Sequence, residues 1–189
     1  MRRVYLIRHG LTEGNRLRRY IGRTDEPLCA AGRAALSAAP LKGIETVYVS
    51  PLLRARETAA ILFPHARQIV VDGLREMDFG AFENRSADDM KNDAAYRAWV
   101  DGLCEGDCPG GENRRGVVAR TVRAFEQICA AGRDAPLVIV AHGGTVMALM
   151  SELGEPKKDY WAWHVGAGGC LRCALDGGRL LYEGDGFDA

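Results

Sequence analysis

Arg8, His9 and Gly10 close the apolar run Val4 to Ile7, and His142, Gly143 and Gly144 close a second apolar run, Leu137 to Ala141. An Arg-His-Gly tripeptide alone is ordinary surface sequence. Its weight comes from a second imidazole delivered at the same place relative to a strand-like run. Arg54 stands shortly after a third such run, Thr46 to Ser50, and Glu76 shortly after a fourth, Gln68 to Asp72. Ligands of α/β sheets gather at the carboxyl ends of strands, so His9, Ser50, Arg54, Glu76 and His142 are expected along one edge. Two guanidinium groups and two imidazoles there suit a dianionic phosphoryl group, because arginine presents a rigid fork of donors matched to phosphate oxygens. Donors fixed in this way stabilise a transferring phosphoryl group as a metal ion otherwise would. No cluster of carboxylates is spaced for magnesium. The chemistry then falls to a side-chain nucleophile, and histidine is one that forms covalent intermediates.

Such a site needs a frame, and the periodicity supplies one. Strands are expected at about 3–8, 46–50, 68–72 and 137–141, with helices at 30–39, 54–63, 86–103, about 113–131 and about 144–153. Residues 15–27 and 105–112 read as loops, and 169–175 with 179–183 as a terminal hairpin around Asp176-Gly177-Gly178. Val117, Val118, Thr121, Val122, Phe125, Ile128 and Cys129 share one face of their helix, which the segment 132–136 ends. Tyr96, Trp99, Val100 and Leu103 form a stripe on another. Alternating strands and helices imply a largely parallel sheet covered on both faces, an α/β three-layer αβα sandwich. Gly143 and Gly144 open the last helix, where backbone N–H groups can meet an anion.

The chain has 189 residues, 47% of them hydrophobic, which fits one domain over 1–189 with a substantial core. Lysine plus arginine equals aspartate plus glutamate, 25 each. No global field therefore draws it to nucleic acid or an anionic membrane, and any anion site must be local. Arg8 cuts the first apolar stretch short of a signal-peptide core, and no run approaches a membrane span, so a cytoplasmic protein is expected. The six cysteines read as free thiols. Cys170 and Cys173 sit three apart in an expected strand and so face opposite ways, which argues against a metal site.

Read together, the motifs resemble the histidine phosphatases, the phosphoglycerate-mutase-like superfamily, over essentially the whole chain. The resemblance is carried by Leu6-Ile-Arg-His-Gly-Leu-Thr-Glu-Gly-Asn15, Gly22-Arg-Thr-Asp-Glu-Pro-Leu28, Ser50-Pro-Leu-Leu-Arg-Ala-Arg-Glu-Thr-Ala59, Leu74-Arg-Glu-Met-Asp-Phe-Gly80 with Phe82-Glu83, Pro109-Gly-Gly-Glu112 and Val140-Ala-His-Gly-Gly144. It implies a phosphoglycerate mutase-like fold and a transfer in which His9 attacks phosphorus, forming a phosphohistidine that water hydrolyses. It implies that Arg8, Arg54 and His142 bind the phosphoryl oxygens with Asn15 as a further donor, and that Glu76 serves as acid and then base. Arg23, Thr24 and Gly143 are carried over as further substrate-binding positions. No metal and no cofactor are expected. The competing readings make Arg54 a surface partner of Glu57, and Glu76 a helix N-terminal or surface carboxylate. Gly10 either donates its N–H near His9 or only allows close approach. Arg56, His65 and His164 are given structural or packing roles.

Within that resemblance, the mutase branch has Trp before the Asn of the first motif and a longer middle insertion. Here Gly14 precedes Asn15 and the chain is short, so a phosphatase is favoured. The runs Tyr20 to Leu28, Arg75 to Glu83 and Pro109 to Glu112 look most like the α-ribazole phosphatases of cobalamin synthesis. The alternatives are a broad-specificity phosphatase on sugar or other small phosphomonoesters, a phosphoglycerate mutase, and a non-catalytic module that binds phosphorylated ligands. Arg19, Arg23, Tyr96, Trp99 and the loop Cys108 to Asn113 are candidates for a wall around the leaving group. The expected partner is a small phosphorylated substrate, and a homodimer stays open.

Overall fold

In the computed structural model, which describes residues 1–131 and 136–187, seven strands form one sheet in the order β3-β2-β4-β1-β6-β7-β5. The strands are β1 (Arg2–Arg8), β2 (Thr46–Val49), β3 (Arg67–Val70), β4 (Leu137–Ala141), β5 (Gly154–Glu155), β6 (Cys170–Asp176) and β7 (Arg179–Asp185). β1, β2, β3 and β4 run parallel, β6 pairs antiparallel with β1, and β6 and β7 form the expected hairpin. The helices are α1 (Glu13–Arg16), α2 (Ala30–Ala34), α3 (Leu53–Leu62), α4 (Ala94–Asp101), α5 (Arg114–Ala130) and α6 (Gly143–Leu153).

Alternation along the central strands builds two cores, one on each face. Val4, Leu6, Ile139 and Ala141 pack with Phe125 and Ile128 of α5 and Val146 and Leu149 of α6. Tyr5, Ile7, Val47, Val49, Val138 and Val140 pack with Ala55, Ala59 and Leu62 of α3. All five residues of β4 are buried, as a strand covered on both faces must be. Cys173 lies in the first core and Cys170 in the second, which is the opposite-face arrangement expected from their spacing. A third cluster, with Met77, Phe82, Met90, Tyr96, Trp99 and Val117, underlies the segment between β3 and α5.

Three elements differ from expectation. The helix expected over 86–103 is α4 alone: Ser86 N and Oγ both donate to Asp89, and Asp93 accepts from the N–H groups of Ala95 and Tyr96 as an N-cap. Such local side-chain bonds compete with helix and restart it at the cap. Of the expected stripe only Tyr96 and Trp99 are buried, while Val100 and Leu103 are exposed. The helix expected over 30–39 stops at Ala34, and Ala39 N instead donates to Leu62 O. The strand expected over 68–72 ends at Val70, and Asp72–Leu74 forms a 3-10 turn. On α5, Val117, Thr121, Phe125 and Ile128 are buried while Val118, Val122 and Cys129 are half-buried. Most of the segment expected to end α5, residues 132–135, lies outside the described residues. Among the described residues no helix is long and apolar enough to cross a membrane.

Candidate active site

The sheet registers decide which side chains meet. Arg8 is level with Ala141 across β1 and β4, and Val49 with Val140 across β2 and β4. The ladder continues one residue further, with His9 N donating to Ala141 O at 2.9 Å and Ser50 N to Val140 O at 3.1 Å. His9, Ser50 and His142 therefore leave three adjacent strands at one edge. The imidazoles of His9 and His142 lie edge to face with centroids 5.1 Å apart. Both histidines, Ser50 and Arg54 are buried.

His9 Nδ1 lies 2.7 Å from the carbonyl oxygen of Gly10. A carbonyl only accepts, so this contact holds the proton on Nδ1 and leaves Nε2 with its lone pair. Burial, with the charges of Arg54 and Arg8, lowers the His9 pKa to about 3 against the pull of that carbonyl. Of the two roles suggested for Gly10, the N–H near His9 is corrected, while close approach fits: a Cβ there would meet Leu36 Cδ1 at 2.9 Å and Leu28 Cδ2 at 3.2 Å. The Gly10 carbonyl fixes the tautomer, while its N–H donates to Thr58 Oγ1, which in turn donates to Arg54 O. His142 Nε2 is 2.7 Å from Ser50 Oγ, and Nδ1 has no partner among the described residues. Burial and the charge of Arg54 push the His142 pKa well down.

Arg54 is not a surface partner of Glu57, whose carboxylate is taken by Arg33 and Leu28 N. The guanidinium of Arg54 is fully buried and donates to the carbonyls of Thr24, Ile21 and Gly22 at 2.7, 3.2 and 2.8 Å. That loop is itself held by Glu83, which accepts from Gly22 N, Arg23 N and the Thr24 hydroxyl. Thr24 acts as a brace: its hydroxyl is committed to Glu83 and its carbonyl to Arg54. Arg23 pairs with Asp78 on the exposed side. Arg8 donates to Val165 O at 2.7 Å and approaches His164 Nε2 at 3.4 Å. Nε of Arg8, Nε of Arg54 and Oδ1 of Asn15 are buried without partners among the described residues. Burial lowers the pKa of both arginines.

Glu76 accepts from Gly144 N at 3.0 Å and Met77 N at 2.8 Å. Arg120 of α5 anchors its backbone, donating to the carbonyls of Gly73, Arg75 and Glu76 while pairing with Glu112. A Cβ on Gly144 would collide with Glu76 Oε1, the free end of a flexible side chain. Gly144→Ala is therefore expected to keep the melting temperature within a few degrees yet lower kcat/KM about a hundredfold, since misplacing a catalytic group by about 1 Å costs that much. Thermal unfolding and turnover measured on the same preparation check both halves.

A cavity of about 250 Å³ opens beside Arg8, Glu76, Gly143 and Gly144. Of the expected wall candidates only Trp99 lines it; Arg19 bonds Asn84, Tyr96 is buried against Tyr20, and Glu112 serves Arg120. The remaining wall is Tyr20, Met77, Phe79, Cys104, Arg114, Met147, Tyr160, Trp161 and His164. His164, expected to serve packing, is exposed at the cavity beside Arg8. The run Tyr160 to His164 carried the signal, but periodicity does not tell that Trp163 is buried and Trp161 half-exposed. Nothing in the sequence distinguishes Arg114 or Arg120 from the other arginines.

The buried neutral histidines have a consequence for stability. In the unfolded chain a histidine titrates near 6.5, whereas folded His9 titrates at about 3. Between those values the unfolded state binds a proton that the folded state refuses, so stability falls as pH drops from 6.5 toward 3. Each such histidine contributes up to about 1.4 kcal/mol per pH unit. Urea unfolding at several pH values is expected to give a shallower acid loss for His9→Gln than for the wild type, by about that amount.

A family model described as Histidine phosphatase superfamily (branch 1) matches residues 4–183. The chain belongs to this superfamily. Among histidine phosphatase relatives, a protein of Serratia proteamaculans bearing the name of a phosphoglycerate mutase, GpmB, is 34% identical over 165 residues, covering 82% of this chain and 77% of its own. The structure of an α-ribazole phosphatase from Shigella flexneri superposes with a TM-score of 0.83 over 96% of this chain and 94% of that one, at 24% identity. A mycobacterial glucosyl-3-phosphoglycerate phosphatase in complex with VO3 gives 0.84 over 97% and 98%, at 28% identity. The phosphoglycerate mutase-like fold expected from the motifs is the one observed.

Proposed function

We propose that the protein is a phosphomonoesterase that works through a phosphohistidine on Nε2 of His9. The observation that carries this reading is the Gly10 carbonyl on His9 Nδ1, which keeps a neutral imidazole with a free lone pair inside a ring of cations. Arg8, Arg54 and His142 each keep a buried nitrogen without a partner among the described residues, and phosphoryl oxygens are acceptors that match them. An Nε2–P bond forms as the ester P–O bond breaks, and the Glu76 carboxyl gives its proton to the leaving oxygen. Water then attacks phosphorus, its proton passes to Glu76, and the N–P bond pair returns to Nε2. The charge that a metal would supply comes from the two arginines.

As substrate we propose α-ribazole 5′-phosphate, or its cobamide form. Support comes from the runs Tyr20 to Leu28 and Arg75 to Glu83 and from the fold shared with an α-ribazole phosphatase. The test is phosphate release in EDTA, with no bisphosphorylated primer, from α-ribazole 5′-phosphate, 3-phosphoglycerate, phosphoserine, sugar phosphates and nucleotides. The reading expects release from α-ribazole 5′-phosphate with the highest kcat/KM. A kcat/KM no higher than for the others would overturn the substrate, and a primer requirement with return of phosphate to substrate would make the protein a mutase. Failure to release phosphate from any ester, with binding intact, would leave a phospho-ligand module.

A further inference from the structure

We infer that the cavity beside the phosphoryl site is a subsite for a planar, apolar ring carried by the leaving group, with Trp161 as its stacking platform; this rests on the phosphomonoesterase reading above. The cavity carries little charge. Beyond Arg8 and Glu76 its one formally charged group is Arg114, and that guanidinium already donates to Glu105 Oε1 and to Leu103 O. A leaving group carrying a carboxylate would therefore meet a cation that already has its partner. The polar ends of Tyr20, Trp99 and Tyr160 are committed as well. Tyr20 OH bonds Tyr96 OH, Trp99 Nε1 donates to Gly106 O, and Tyr160 OH donates to Gly144 O. A hydroxyl-rich group extending past the ester would lose water and find few partners there, which costs free energy.

Flat apolar surface is what the cavity does offer. Tyr20, Phe79 and Trp99 form a cluster with ring centroids 5.2 to 6.3 Å apart. Tyr160 and Trp161 line the same cavity, at 5.1 Å and nearly perpendicular. Met77 and Met147 line the same space, and thioethers adapt to a flat ring and contact its edge favourably. Trp161 is 50% exposed, an unusual position for so large an apolar side chain. It is not loose: the Arg114 guanidinium sits 4.5 Å from the Tyr160 centroid and 5.2 Å from that of Trp161. Because Arg114 is anchored to Leu103 and Glu105, it holds the Tyr160 and Trp161 rings in place. Arg114 is a positioning residue in this account, and Trp161 the group that touches the ring.

The test compares benzimidazole riboside 5′-phosphate with ribose 5-phosphate, which share ester and sugar and differ only in the ring, and with 3-phosphoglycerate as an anionic leaving group. The wild type is expected to favour the benzimidazole compound at least tenfold in kcat/KM over both. Trp161→Ala is expected to cut that preference about tenfold, the scale of lost base–aromatic stacking, with the change mainly in KM, and Trp161→Phe to keep most of it. No preference in the wild type, or a preference untouched in Trp161→Ala, overturns the inference. Calorimetry on His9→Ala with the first two compounds separates this claim from the one it rests on. Tighter binding of the ring compound without phosphate release from any wild-type reaction supports the subsite while sinking the phosphomonoesterase reading; equal binding of the two overturns the subsite.

Discussion

His9→Ala is expected to lower kcat for any phosphomonoester by roughly 10⁶-fold, the scale on which loss of a covalent nucleophile is felt in a hydrolase whose residues act as a unit. The fold should survive, because β1 is held by its ladders to β4 and β6 and His9 N itself bonds Ala141 O. The substitution leaves the Gly10 carbonyl without its imidazole donor, a loss of about 1–3 kcal/mol. Binding of the phosphorylated ligand should persist, since Arg8, Arg54 and His142 remain. Steady-state turnover with calorimetric binding on the same variant checks the pair. A residual rate within about tenfold of wild type would remove His9 from the covalent role, because only a dispensable group is lost so cheaply.

The second large effect is expected at Arg54. Arg54→Lys keeps the charge but removes the planar fork, and one ammonium cannot reach three carbonyls and a phosphoryl oxygen together. The carbonyls of Ile21, Gly22 and Thr24 would compete for it, and those left unpaired cost about 1–3 kcal/mol each. We expect kcat/KM to fall about 10²–10³-fold, as when one fixed donor to a developing oxyanion is removed, together with a lower melting temperature. Ligand binding should weaken as well, since the proposed mechanism has Arg54 meet ground state and transition state alike. A variant of wild-type stability would mean that the three-carbonyl cradle contributes little, and one of wild-type activity that Arg54 does not meet the phosphoryl group.

The site was legible where it follows from strand ends. The apolar runs before His9, Ser50 and His142 fix three parallel neighbours, and their register alone brings the two imidazoles to 5.1 Å. The supporting contacts were not legible, because they join residues far apart in sequence. Glu83 holds the 22–24 loop, that loop aims Arg54, and Arg120 pins the backbone of Glu76. The bracing bonds of Thr24 to Glu83 and Arg54 join the same distant segments and were equally out of reach of the sequence. The aromatic wall failed for a different reason. Tyr160, Trp161 and Trp163 look alike in a hydrophobic pattern, and it is tertiary packing, with Tyr182 and within the first core, that sets Trp163 apart. Local polar chemistry explains the shortened α4, since Ser86, Asp89 and Asp93 satisfy backbone groups that a helix through 86–93 would need.

The tautomer set by the Gly10 carbonyl makes one commitment above the rest: phosphorus bonds to Nε2 of His9. Rapid acid-free quenching of wild-type enzyme during turnover of a phosphomonoester, followed by peptide mapping, reads this directly. The account predicts an acid-labile, alkali-stable phosphate on the peptide containing His9, attached at Nε2, that forms and decays at rates compatible with turnover. Phosphate on another residue, on Nδ1 of His9, or on no residue during steady turnover would contradict it.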